Sequence, residues 1–188
     1  MLPTRTELRA ELRLRRHGQS HPSSAELLQR FSSLALPERA RIASYASHGT
    51  EFPTTELNQW LLERGHQVYV PRVIDVNPPQ MVFHQITAHS LLTPGRFGID
   101  EPSVDARPAH CFEMMLLPVL GADRRGNRLG QGLGFYDRYL RRYRDLEQTL
   151  PLRVGLAWSA QLLDSLVPES WDVPLDYLLT EDALIRCS

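Results

Sequence analysis

A chain of 188 residues, 42% hydrophobic and 23% charged, has the composition of an ordinary globular protein and room for one sizeable core rather than two full domains. Its formal net charge of −1 argues against a general nucleic-acid binder, and no apolar run approaches the roughly 20 residues that span a bilayer. All 21 basic residues are Arg, so a Walker A lysine and Schiff-base chemistry are excluded, and any phosphate must be held by Arg, backbone N–H groups or a metal.

The opening MLPTRTELRAELRLRR alternates charge with leucine, where a secretion signal would carry an apolar core, so a cytoplasmic protein is expected. Cys111 and Cys187 do not make a disulfide framework, and the seven histidines are scattered, so no zinc site is expected. Thr4 and Glu7 form a capping-box pattern that starts a helix running to about His17. Arg5, Arg9, Arg13 and Arg16 share one face of it, beside a stripe of Leu8 and Leu12. That face is either solvated or an arm that docks by its leucines and aims its arginines at phosphates.

Residues 24–34 suit a second helix, 41–46 (RIASYA) a strand, 55–64 a third helix and 67–71 (QVYVP) another strand. Residues 81–86 read as a short strand, and 91–112, rich in Pro and Gly, as irregular. The apolar run 113–120 (EMMLLPVL) fits a strand buried on both faces. An Arg-rich helix at 135–147, a strand at 152–157, a helix at 159–166 and a strand at 175–180 complete the order. Alternating strands and helices predict a single α/β domain over residues 1–188, three-layered and Rossmann-like with a largely parallel sheet.

Between the buried run and the Arg-rich helix lies the most informative stretch. Four of the 11 glycines, Gly126, Gly130, Gly132 and Gly134, fall within nine residues. A Gly-rich turn opening a helix offers N–H groups and a positive dipole end to an anion. The spacing is not that of the dinucleotide fingerprint, and the alternative is a plain turn that needs positive φ. Residues 121–145 hold seven Arg against three Asp, and residues 5–16 hold five Arg against two Glu. If the first helix packs near the loop, the two clusters make one polyanion site.

The loop Arg128-Leu-Gly-Gln-Gly-Leu-Gly-Phe-Tyr-Asp-Arg138 resembles the signature of the 5-formyltetrahydrofolate cyclo-ligase family. Glu51 in SHGTEFPTTEL, the run GRFGIDEP (95–102) and the tail WDVPLDYLLTED (171–182) have family counterparts in the same order. The resemblance implies a Rossmann-like scaffold of the kind shared with phosphosugar isomerases and CoA transferases. It also implies ATP- and Mg²⁺-dependent conversion of 5-formyltetrahydrofolate to 5,10-methenyltetrahydrofolate through a phosphorylated formyl oxygen. By position it assigns Arg5, Arg9 and the loop from Arg128 through Gly130, Gln131, Gly132, Leu133, Gly134 and Phe135 to Tyr136 to the nucleotide. Ala46, Glu51 and the segment Gln131 to Phe135 are assigned to the folate, Asp137 and Asp176 to the metal, and Arg128 and Glu51 to catalysis. The family usually carries Lys where Arg5 stands, and phosphate contact survives that change. A monomer acting on a small reduced folate, without nucleic acid or membrane, is expected. The competing readings are another enzyme on a similar scaffold, a non-catalytic binder of folate or nucleotide, and an RNA-binding module.

Overall fold

The computed structural model describes residues 3–20, 22–103 and 108–188. In chain order it contains α1 (Arg5–Arg15), α2 (Ser24–Ser32), β1 (Arg41–Ala43), α3 (Thr55–Glu63), β2 (Gln67–Val76), β3 (Pro79–Ile86), β4 (Thr93–Pro94), β5 (Asp100–Glu101) and β6 (Pro108–Ala109). There follow β7 (Met114–Pro118), β8 (Gly121–Asp123), β9 (Arg128–Leu129), α4 (Phe135–Asp145), β10 (Leu152–Leu156), β11 (Leu162–Leu163), β12 (Tyr177–Leu179) and β13 (Leu184–Arg186).

The main sheet runs β13-β12-β10-β7-β1-β2-β3-β6. Its five central strands, β12 to β2, are parallel, and the edges are antiparallel. The parallel centre demands cover on both faces. One face buries Ile42, Val68, Met114, Leu116 and Val154 with Leu27 and Phe31 of α2 and Leu57 and Leu61 of α3. The other buries Ala43, Met115 and Leu117 with Tyr139, Leu140 and Tyr143 of α4. The expected three-layer α/β architecture is thus present. From β1 the chain passes to β2 on one side, while β7, β10 and β12 build out on the other. The carboxyl ends of β1 and β7 therefore flank a topological switch point, where open α/β sheets bind ligands.

α1 begins on the expected capping box: the Glu7 amide donates to Thr4 Oγ1, and the Thr4 amide donates to Glu7 Oε2. Leu12, fully buried, inserts among Leu120, Leu129 and Leu166. Gly121 is the floor of that socket, since a Cβ there would lie 2.5 Å from Leu12 Cδ1.

Several elements differ from expectation. Residues 159–166 form a 3₁₀ turn, Ser159–Gln161, and then β11, which pairs with β8. The buried Gln161 accepts from the Trp158 amide and donates to the Val119 and Leu120 carbonyls, while Glu181 accepts from the Ser159 amide. These side-chain bonds replace a helical ladder. β2 and β3 are longer than their apolar cores, β1 is shorter, and β13 was not anticipated. The run 113–120 breaks after Pro118, and β8 joins a separate three-stranded sheet. Within 91–112, two-residue strands punctuate the irregular chain, and residues 104–107 lie outside the described residues. Among the described residues, no helix is long and apolar enough to cross a membrane.

Candidate active site

A cavity of about 460 Å³ opens at the switch point, within the range of small-molecule sites. The ends of β1 and β7 contribute Tyr45, Ala46 and Pro118, α1 contributes Arg5 and Arg9 with its C-cap Arg16, and residues 128–137 form a continuous wall. The two arginine clusters do meet. Arg9 Nε donates to the Gly130 carbonyl at 3.0 Å, and Arg13 donates to Gln131 Oε1 at 3.2 and 3.3 Å.

The wall is set by the β8–β9 hairpin. Asp123, fully enclosed, accepts from the amides of Arg125, Asn127 and Leu166 and from the Asn127 side chain. Gly126 belongs to this hairpin: its φ is +84°, and a Cβ would lie 2.5 Å from the Leu175 carbonyl. Gly132 and Gly134 also have positive φ, +122° and +74°, and Gly134 is the N-cap of α4. The plain-turn explanation thus accounts for three glycines. It does not account for Gly130, whose φ is ordinary and whose added Cβ would meet nothing closer than Arg128 Nη1 at 3.8 Å.

Buried Arg128 extends from β9 to Asp137 in the first turn of α4, Nη2 to Oδ1 2.5 Å. The same Oδ1 accepts from the Val173 amide at 3.3 Å; Oδ2 takes part in neither contact. Arg5 Nη2 donates to Asp172 Oδ2 at 2.8 Å and Nη1 lies 3.4 Å from Glu169. Yet the Nε groups of Arg5, Arg16 and Arg128 are buried without a hydrogen-bond partner. Such groups cost free energy unless a ligand or water answers them.

The other end of the cavity is carboxylate and aromatic. Burial raises the pKa of Glu51; the His48 amide, donating to its Oε2 at 3.1 Å, and Arg16 nearby offset part of that rise. Burial also pushes Tyr45 and Tyr136 far above the ordinary tyrosine range, and the Glu51 charge adds to it. Burial lowers the pKa of both Arg9 and Arg16; Arg5 and Arg13 lower that of Arg9 further, whereas the Glu51 charge offsets part of the fall at Arg16. Half-buried Glu51 thus sits near Arg16, at the end of the arginine stripe.

Every residue that the family resemblance assigns to the site lines this cavity except Asp176. That expectation needs correction: Asp176 is held by Arg153 through its Nε at 2.8 Å, its Nη2 at 2.5 Å and its backbone amide at 2.7 Å. These bonds tie β10 to the chain entering β12 and occupy both carboxylate oxygens. The tail segment does reach the cavity, but through Trp171 and Asp172. Arg16, on the arginine stripe seven residues from Arg9, has no role in the resemblance but also lines the cavity. Phe97, Ile99 and Glu101 of GRFGIDEP also line the cavity.

Known proteins resemble this chain in sequence and fold. A sequence model described as the 5-formyltetrahydrofolate cyclo-ligase family matches residues 3–181. The 5-formyltetrahydrofolate cyclo-ligase of Haemophilus influenzae is 31% identical, covering 91% of this chain and 94% of that protein. That of Escherichia coli K12 is 33% identical over 74% of this chain and 76% of its own length. The 5,10-methenyltetrahydrofolate synthetase of Aquifex aeolicus superposes with a TM-score of 0.79 at 27% identity, covering 97% of this chain and 92% of that one. With the match spanning both the arginine helix and the glycine loop, the chain belongs to the 5-formyltetrahydrofolate cyclo-ligase family.

Proposed function

We propose that this chain converts 5-formyltetrahydrofolate to 5,10-methenyltetrahydrofolate, splitting ATP to ADP and phosphate with Mg²⁺. One observation carries the nucleotide half of this reading: Arg5, Arg9, Arg16 and Arg128 line one cavity together with the glycine loop. Guanidinium donors and open backbone amides are the groups that recognise a triphosphate. Arg5, Arg9 and Arg128, with the backbone from Gly130 to Gly134 and the side chains of Phe135 and Tyr136, would hold it. Gly130, the glycine with no conformational or steric requirement in the fold, would let phosphate oxygens approach the backbone.

Among the described residues, no three His, Cys, Asp or Glu side chains cluster as a metal site of their own. Mg²⁺ is commonly held by one or two carboxylates and completed by phosphate oxygens and water. Asp137 suits that donor set, because Arg128 and Val173 engage only Oδ1. When bound, Mg²⁺ supplies charge neutralisation for phosphoryl transfer.

An N-formyl group is an amide and a poor electrophile, so direct ring closure would have to expel oxide from carbon. The formyl oxygen instead attacks the γ-phosphorus and ADP leaves. N10 then adds to the activated formyl carbon and loses its proton, and the C–O bond breaks as phosphate departs. Arg128 orients the phosphoryl group and offsets its charge. Glu51, with Ala46 and residues 131–135 beside it, positions the pterin. Its raised pKa makes it a stronger proton acceptor than an exposed carboxylate. The same reading takes residues 1–188 as one domain, a cytoplasmic monomer acting on a small molecule rather than nucleic acid.

The test mixes protein, Mg²⁺-ATP and 5-formyltetrahydrofolate and follows the methenyl chromophore in the near ultraviolet together with phosphate release. Stoichiometric appearance of both is expected. Binding of both ligands without product would favour a non-catalytic binder, and product without phosphate release would overturn the ATP-coupled route.

A further inference from the structure

One side of the cavity is closed by a hairpin, β4–β5, whose turn carries Phe97 and Gly98. β1 pairs with β2 only at residues 67–69, and on that edge the Tyr69 carbonyl accepts from the Ser44 amide. Alternate residues of a strand direct their amides to the same edge. Beyond Tyr69 the next two are Pro71, which has no N–H, and Val73. Val73 therefore presents a donor where β1 has ended, and it donates to Glu101 Oε1 at 3.1 Å.

Glu101 is only 4% exposed. Its Oε2 lies 3.9 Å from Arg72 Nη1, which also donates to the Pro102 carbonyl at 3.1 Å. Gly95, on the opposite arm, closes over this carboxylate: a Cβ there would lie 2.2 Å from Glu101 Cδ and 2.5 Å from Oε2. The φ of Gly95 is −105°, open to any residue, so the close approach alone calls for glycine. At the turn, Phe97 adopts φ 62° and ψ 15°, disfavoured for a residue with a side chain, and stands 55% exposed at the cavity wall. A Cβ on Gly98 would lie 3.6 Å from His48 Cε1, which puts the turn at the Glu51 end. A buried carboxylate costs free energy unless it is paired, and here the Val73 amide and Arg72 provide the pairing.

From these contacts we infer that Glu101 is a positioning residue for the folate end of the cavity: it latches hairpin 93–101 onto the open edge of β2 and so holds Phe97 and Ile99 against the bound folate. The inference rests on the cyclo-ligase reading for the identity of that ligand. The arginine end is independent of the latch, so folate and nucleotide terms should separate.

The test compares wild type, Gly95→Ala, Glu101→Ala, the double variant and Glu101→Gln. Gly95→Ala displaces the carboxylate without touching the sheet. It is expected to raise the KM for 5-formyltetrahydrofolate about tenfold, with the KM for ATP within about twofold and Tm within about 2 °C. Glu101→Gln, whose amide oxygen still accepts from Val73, stays within about threefold of wild type. Adding Gly95→Ala to Glu101→Ala costs little more, because the collision is gone. An unchanged folate KM in Gly95→Ala, or equal rises for both substrates, overturns the latch. The same proteins are titrated calorimetrically with 5-formyltetrahydrofolate. A wild type that binds folate without turnover, with affinity lost in Gly95→Ala, refutes the reaction and supports the latch. Absence of folate binding by the wild type refutes both.

Discussion

Gly130→Ala separates a phosphate loop from a plain turn. The new methyl meets no protein atom closer than 3.8 Å, and φ is already one that alanine adopts. The Arg9 bond to the Gly130 carbonyl is untouched. Removing a glycine at a compatible position stabilises by about 0.4–1 kcal/mol through the unfolded chain, so Tm should hold or rise by about 1–4 °C. A phosphate oxygen packed on the backbone, in contrast, would be displaced by the methyl. Loss of one hydrogen bond to a charged group costs about 1.5–3 kcal/mol, or roughly tenfold to a hundredfold in Kd. Calorimetric titration with Mg²⁺-ATP beside a thermal melt reads both quantities. Gly126→Ala is the control: its φ of +84° and the 2.5 Å approach to the Leu175 carbonyl should lower Tm by several degrees. Unchanged ATP affinity in a stable Gly130→Ala protein would refute the phosphate-loop reasoning.

Asp137→Asn keeps an oxygen for Arg128 and Val173, so the far-ultraviolet dichroism should match wild type and stability should fall by about 1–2 kcal/mol. Turnover should drop strongly and its Mg²⁺ dependence weaken; kinetics like wild type would remove the metal role. Asp176→Asn should do the reverse, lowering Tm through the Arg153 contacts while leaving the Mg²⁺ titration of activity unchanged. For Glu51, burial raises the folded-state pKa, so ionised Glu51 opposes folding. Its stabilising share, complete below the ordinary value of 4.5, is lost as pH rises through the elevated one. Glu51→Gln should therefore melt higher than wild type at pH 7, with the gap closing towards pH 4.5, and it should lose activity; parallel melting curves across that range would contradict the burial argument.

Much of this was legible because local chemistry and tertiary need agreed. The capping box at Thr4 and Glu7, the Leu8–Leu12 stripe and the apolar run through Met114 and Leu117 each satisfy the fold that forms around them. The helix expected at 159–166 failed because Gln161, unremarkable by propensity, spends its amide on two carbonyls of the β7–β8 connection. No local pattern announces a partner 41 residues away. Pro71 looked like a strand end but sits on a sheet edge that needs no N–H there, so β2 continues to Val76. At the site, residue types and the loop were readable, but pairings were not. Asp137 and Asp176 are each an aspartate beside a tyrosine in sequence. The fold sets Asp137 in the cavity wall and binds both oxygens of Asp176 to Arg153.

The absence of lysine is consistent with how the arginines are used. A guanidinium has five N–H donors in a rigid fork, so it can be fixed by one protein acceptor and keep others for a ligand. Arg5 is fixed by Asp172, Arg9 by the Gly130 carbonyl and Arg128 by Asp137, all through contacts of 2.5–3.0 Å. An ammonium so anchored has donors but no fixed plane in which to present them. Charge that is already oriented before the ligand arrives lowers the ordering cost of binding and of phosphoryl transfer. The same logic explains why α1 is docked by Leu12 in a glycine-floored socket: its arginines act only if the helix cannot turn.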